Sequence, residues 1–442
     1  MSHSLPQTSG ASTPVDTIVP AAVPRLSPFL RSYYLAHFGK SLFWYLSSIL
    51  FAYYLTEACG LAPATMGLVL AASLALNAVA DAAIGARLAA HVRHTADACR
   101  SQFTGAIAAS LAILAFAATA LLPESWRLAY ALVTLCAFRL CYALFDVPQN
   151  AVLGFMGRSD RDRVRIAGAR QMLSASAQLA IAMLFVPFLR DTGENALAVR
   201  FVLVVAGACF VALVSAALLR RAGRHEIELP ARPDGKGGAC AQDSAEPAVG
   251  GLRLLAAAAI FAFAISTIRL VEPYVASFAL PGPISAAFMT SLALGQLAGP
   301  LFWAWYSAGR ALGRCLRAAT VLMLCATGGF AFMGQGIAIT IVIGLIHGIA
   351  TAGVSQMIWA MAARWSRQGD QRATRHFGLL TFSTKSANAA ASLCFGFLLA
   401  SGDYRGGESL WSIPLLILMA VPAIGSLLLL CLAPGARSRG RR

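Results

Sequence analysis

Residues 196–219 read ALAVRFVLVVAGACFVALVSAALL, and RRAGR follows directly at 220–224. The run is 24 residues long and holds a single charge, Arg200. A helix rises 1.5 Å per residue, so about 20 apolar residues cross the hydrocarbon core of a bilayer. The run is continuous rather than alternating, which selects a helix over a barrel strand. Inside a bilayer only helices and closed barrels satisfy every backbone hydrogen bond. The arginines at its end are the flank expected of a cytoplasmic loop.

The pattern recurs along the chain. Spans are expected at 33–55, 64–89, 103–122, 128–156, 166–188 and 196–219, then at 252–278, 284–306, 312–333, 337–362, 377–399 and 410–432. Between the sixth and seventh lies the longest interior polar stretch, 220–250, with Pro230, Pro233 and Pro247. It reads as a linker. The expected organisation is a disordered tail at 1–31, a six-helix half at 32–220, a linker at 221–250, a second half at 251–433 and a basic tail at 434–442. The first thirty residues, rich in Ser, Thr, Pro and Ala, lack the compact apolar core of a signal peptide.

Composition agrees. Of 442 residues 58% are hydrophobic and 12% charged, about half the charged share of a soluble domain. The net charge of +16 would suggest nucleic acid in a soluble protein. Here the arginines fall in short gaps between apolar runs, so no nucleic-acid partner is expected. Gaps after even-numbered spans hold Arg87, Arg93 and Arg100; Arg158, Arg161, Arg163 and Arg165; Arg220, Arg221 and Arg224; Arg310, Arg314 and Arg317; and Arg364, Arg367, Arg372 and Arg375. Gaps after odd-numbered spans hold few. Both termini are therefore expected in the cytoplasm of a bacterial inner membrane. Six spans, a linker and six spans is the major facilitator layout, with a central site near the midplane. Ten cysteines show no CxxC spacing, and they read as reduced, buried packing residues.

Ionisable groups inside spans are functional candidates by default. They are Lys40, Asp81, Arg139, Asp146, Arg170, Arg269 and Lys385. Lysine is scarce: only Lys40, Lys236 and Lys385 stand among 35 basic residues, and two of these lie in spans. A lysine can change charge on burial where arginine cannot. Lys40 has the alternative of snorkelling to the interface. Asn77 and Asp81 are four residues apart and share one helix face. Asp146 precedes Pro148, whose missing N–H frees a carbonyl, and Gln149 and Asn150 extend that polar patch. Arg139, two turns before Asp146, is a candidate to neutralise it locally. Arg269 is a candidate partner for Glu272. His347 reads as a structural residue.

Several segments resemble the glycoside–pentoside–hexuronide:cation symporters, the melibiose-permease type of the major facilitator superfamily. These are FGK at 38–40, YYLTEACGL at 53–61, NAVADAAIG at 77–85, FDVPQNAVLGFMGRSDRDRVRIAGAR at 145–170 and TFSTKSANAAAS at 381–392. The resemblance implies Asp81 and Asp146 as cation ligands, with Asn77 in place of a second helix 2 carboxylate. It places the family's helix 5 arginine on Arg170 and its helix 11 lysine on Lys385. The family's sugar-binding aspartate falls on Ser41 and its sugar-stacking tryptophan on Asn150. The aspartates usual at the end of helix 10 are absent from AARWSRQGD at 362–370. The sugar-reading groups have changed while the coupling centre is partly kept, so a coupled transporter is better supported than a sugar transporter.

The expected protein is an all-α membrane transporter, a cation-coupled symporter of a small polar solute. Asp81, Asp146, Asn77 and Lys385 are its coupling candidates. Lys40, Ser41, Arg139, Gln149, Asn150 and Arg170 are its solute-binding candidates. No cofactor is expected beyond the coupling ion, with proton favoured over sodium, and the chain is expected to be a monomer in the bilayer. The alternatives are a lysolipid or amphipathic-compound transporter, an efflux pump, and a transporter-like sensor or membrane enzyme. No HExxH, GxSxG or Walker loop stands in the sequence, so an enzyme is not expected.

Overall fold

The computed structural model describes residues 28–91, 95–156, 160–185, 194–224, 250–308, 310–366, 373–405 and 412–432. Residues 1–27, 225–249 and 433–442 lie outside these residues. Of the expected disordered tail at 1–31, residues 28–31 are helical, and of the expected linker at 221–250, residues 221–224 continue the sixth span's helix, because backbone hydrogen bonding runs on past the apolar stretch. The described residues are helices joined by short turns, with no strand among them. Helix α1 runs Pro28–Tyr45 and continues to Ala58 through two π turns, Leu46–Leu50 and Tyr54–Ala58. The others are α2 Pro63–His91, α3 Thr95–Ala117, α4 Glu124–Met156, α5 Asp160–Phe185 and α6 Glu194–Arg224. The second half has α7 Gly251–Tyr274 with a π turn Val275–Ala279, α8 Gly282–Ser307, α9 Leu312–Gly329, α10 Ile337–Ser366, α11 Ala373–Leu399 and α12 Ile413–Leu432.

The largest departures from the expected spans are early helix starts. Helix α3 begins at Thr95 rather than 103, and α5 at Asp160 rather than 166. Hydropathy marks only the part of a helix in hydrocarbon, whereas backbone hydrogen bonding continues into the polar interface. Among the described residues, nine helical segments are long and apolar enough to cross a membrane. The remaining three long helices are α1, α5 and α11, which carry Lys40, Arg170 and Lys385.

Packing repeats with a period of six helices. In the first half α2 packs on α4, α3 on α4 and α6, and α1 on α5 and α6; in the second, α8 on α10, α9 on α10 and α12, and α7 on α11 and α12. Two long crossings join the halves, α2 on α11 and α5 on α8, and they too exchange under the same shift. This is the parallel repeat of a major facilitator fold. Leucine, valine and phenylalanine side chains such as Val79, Leu111, Val133 and Phe210 are exposed on its outer surface, as a lipid-facing belt requires.

Small residues bring backbones together where the bilayer supplies no hydrophobic drive between helices. A Cβ at Gly105 of α3 would sit 2.4 Å from the Leu144 carbonyl carbon of α4. Leu144 is the residue whose carbonyl Pro148 leaves without its helical donor. Gly67 of α2 and Gly396 of α11 similarly meet backbone to backbone, with a Cβ at Gly67 only 2.9 Å from the Gly396 Cα. The described cysteines are free, but burial is not general: Cys59, Cys99, Cys209 and Cys315 are buried, whereas Cys325, Cys394 and Cys431 are exposed on the bundle surface. A thiol is apolar enough to face lipid, so an apolar run does not decide which way it points.

Candidate functional site

Two lysine–aspartate pairs stand in the half of the bundle nearer the start of α1. In the first, Lys40 of α1 donates from Nζ to Asp146 Oδ1 of α4 at 2.5 Å. The side chains are 5% and 18% exposed, so Lys40 does not snorkel to the interface. Asn150, one turn beyond Asp146, donates to the same oxygen at 3.0 Å. Its own Oδ1 accepts from Arg170 Nη2 of α5 at 2.5 Å and from Lys40 at 3.4 Å. Lys40 thus meets the carboxylate directly, and Arg170 reaches it through one amide. Ser41 lies alongside, donating to the His37 carbonyl at 2.7 Å and meeting Ser174 of α5 at 3.1 Å. The expected polar patch is only partly present, because Gln149 is fully buried with neither amide atom partnered.

The second pair joins the halves. Lys385 of α11 reaches Asp81 Oδ2 of α2, with the two side chains 8% and 11% exposed. Asn77 Oδ1, one turn before Asp81, lies 3.5 Å from the same ammonium. Of the two span aspartates among the coupling candidates, Lys385 meets Asp81 and not Asp146. The carboxylate is not saturated: Asp81 Oδ1 and Asn77 Nδ2 are buried without a partner.

Arg139 departs from the expectation. It pairs with no carboxylate among the described residues. Seven residues on one helix face are two turns, but also about 10 Å along the axis, too far to neutralise Asp146, which Lys40 serves instead. Arg139 is 2% exposed, donates from Nη1 to Ser47 Oγ at 3.1 Å, lies near the Phe138 ring at 5.6 Å, and leaves Nε unpartnered. It lines a narrow cavity between the halves, with Trp44, Ser47 and Ser48 of α1, Ser266 of α7, Asn388 of α11, and leucines of α2 and α7. The Arg269–Glu272 pair is not formed either: Arg269 sits over the Tyr45 ring at 5.1 Å, and Glu272 Oε1 is buried without a partner. His347 packs on Phe330 at 4.8 Å with both ring nitrogens unpartnered.

Beyond the cavity, away from the start of α1, the halves meet in an aromatic layer. Tyr53 and Tyr274 pack edge to face at 5.4 Å, and Tyr404 packs on Tyr274 and Phe278 at 5.6 and 5.7 Å. Polar contacts cross it: Thr56 to the Tyr274 hydroxyl at 2.8 Å, and Ser277 to the Tyr53 hydroxyl at 2.9 Å. At its edge Glu57 accepts from the Tyr404 hydroxyl at 2.8 Å and pairs with Arg405 at 3.2 Å. Sequence reasoning missed these residues. The available signal was Glu57, an acid at the far end of the first span, inside the quoted YYLTEACGL.

The helix order, the six-helix repeat and a polar cavity between the halves define a secondary transporter of the major facilitator class rather than an enzyme. The chain belongs to the family described as MFS/sugar transport protein, whose model matches residues 32–434. This is the family of the melibiose-permease-like symporters that the sequence resembles. A search of curated proteins found no match. Among solved structures the chain is similar to a D-xylose–proton symporter, at 10% identity and a TM-score of 0.66 over 92% of this chain and 98% of that one. It is also similar to a POT family transporter in complex with 5-aminolevulinic acid, at 13% identity and 0.65 over 92% and 96%. The inward-open xylose transporter XylE from E. coli aligns at 11% and 0.64 over 93% and 98%. Likeness at this identity speaks for the fold alone.

Proposed function

We propose that the chain is a cation-coupled symporter of a small polar solute, with Asp81 and Asp146 as the coupling carboxylates. The observation that carries this reading is the buried Lys385–Asp81 pair, which ties α2 of one half to α11 of the other. A proton or cation arriving on Asp81 competes with Lys385 for the carboxylate. Release of Lys385 loosens one of the two long crossings between the halves, the motion that alternating access requires. Lys40 and Asp146 form an equivalent exchangeable pair beside α5.

Proton is favoured over sodium. A proton needs one carboxylate oxygen, and Asp81 Oδ1 stands unpartnered. Sodium needs several oxygens with enough negative charge to offset its dehydration, and each aspartate here already faces a lysine. The arginine asymmetry of the loops supports termini in the cytoplasm. The test is uptake of a mixed metabolite panel into proteoliposomes, with proton and sodium gradients imposed separately. Accumulation driven by a pH gradient alone is expected. Accumulation driven only by sodium overturns the choice of ion, and none under either gradient overturns symport.

A further inference from the structure

The geometry points to Arg139 as the anchor for a carboxylate on the transported solute, which makes the substrate an organic anion rather than a neutral sugar. This rests on the reading that the cavity between the halves is the solute site. A guanidinium removed from water is unfavourable unless an anion or a full set of acceptors faces it. Arg139 has one acceptor among the described residues, the Ser47 hydroxyl, and an unpartnered Nε. None of the ion pairs among the described residues reaches it.

The rest of the described cavity wall is uncharged. The Asn388 amide nitrogen, oriented to satisfy its surroundings, faces the Thr384 carbonyl at 3.1 Å, the Ala262 carbonyl at 3.2 Å and Ser266 Oγ at 2.8 Å, so both of its hydrogens are spent there. No acidic side chain among the described residues lines the cavity. The cavity therefore holds one fixed cation, bounded by Trp44 and leucines, while Ser47, Ser48 and Ser392 donate to backbone carbonyls. A planar guanidinium fork matches the two oxygens of a carboxylate, and the tryptophan and leucines suit a less polar remainder. The site is also separate from coupling: Arg139 lies about 10 Å along α4 from Asp146, so an anion there leaves the Lys40–Asp146 pair intact.

The test is gradient-driven uptake into proteoliposomes with matched solutes: glucuronate against glucose, benzoate against benzamide, an N-acetyl dipeptide against its C-terminal amide, and glucose 6-phosphate as a non-carboxylate anion. Wild type is expected to accumulate at least one carboxylate and not its neutral partner. Arg139→Gln should raise its KM by about ten- to hundredfold, the scale of a charge-assisted hydrogen bond. Arg139→Lys keeps the charge without the fork and should hold an intermediate KM. Thermal unfolding in detergent gives a second reading: the carboxylate protects wild type, fails to protect Arg139→Gln, and the unliganded melting temperature of that variant is not lower. Uptake of neutral members, of glucose 6-phosphate in place of any carboxylate, or of a carboxylate undiminished in Arg139→Gln overturns the assignment and leaves secondary transport standing. No uptake of any member under any gradient overturns the symport reading, and the assignment with it.

Discussion

Lys385→Ala, read against Asp81→Asn and the double variant, separates what the inter-half pair does for stability from what it does for transport. Both side chains are about nine-tenths buried, so solvent screens them little. Opposite charges about 4 Å apart at an effective dielectric near 20 attract by about 4 kcal/mol. Removing one partner of a buried pair typically costs about 3–5 kcal/mol, because the remaining charge is stranded. Lys385→Ala strands Asp81, whose Oδ1 is already unpartnered. Asp81→Asn strands Lys385, which keeps only Asn77 at 3.5 Å. Each single variant should melt well below wild type in detergent. The double variant removes both charges and should recover most of the loss, a coupling of about 3–4 kcal/mol. Uptake should not recover with it: per folded molecule, gradient-driven accumulation is lost in both singles and stays lost in the double. Additive losses of stability would refute the energetic pairing. Normal gradient-driven uptake in Lys385→Ala would remove Lys385 from the coupling mechanism.

Asp146→Asn should likewise abolish coupled uptake, while Lys40→Ala should lower the melting temperature less than Lys385→Ala, because Asp146 is 18% exposed and keeps Asn150 as a donor. Arg405→Ala should weaken the aromatic seal only slightly, by about 0.5 kcal/mol, since Arg405 is 55% exposed and Glu57 keeps Tyr404; maleimide labelling of a cysteine placed at Ser277 should quicken modestly. Gly105→Val should destabilise the protein by about 3 kcal/mol or more, because its Cβ would meet the Leu144 backbone. Gly207→Ala, with open space at its Cβ, should be neutral or mildly stabilising in the same melting assay. A reporter fused after Arg442 should be active in the cytoplasm, and activity confined to the periplasm would reverse the topology.

The fold was legible in the sequence because a bilayer imposes a coarse rule. Each crossing must be about 20 largely apolar residues of helix, and polar flanks mark where it ends. The twelve helices follow from that rule, with errors at the boundaries where α3 and α5 extend past the apolar stretch. Lys40, Asp81, Asp146, Arg170 and Lys385 were likewise legible as candidates, since charge inside a span is exceptional. Which of them meet was not. Helical periodicity gives a shared face within one helix, and by that measure Arg139 was the natural neighbour of Asp146. The rotation and depth of α1 against α4 set Lys40 on Asp146 instead, across 106 positions of chain. The placement of Lys385 on Asp81 rather than Asp146 depends on the crossing of α2 and α11, where Gly67 and Gly396 let the backbones touch. Tertiary packing alone left Arg139 facing the cavity without a carboxylate and closed Glu57 onto Tyr404 and Arg405. Hydropathy measures how deep a residue can lie in the bilayer, whereas pairing is fixed by helix rotation, which the packing of neighbouring helices decides.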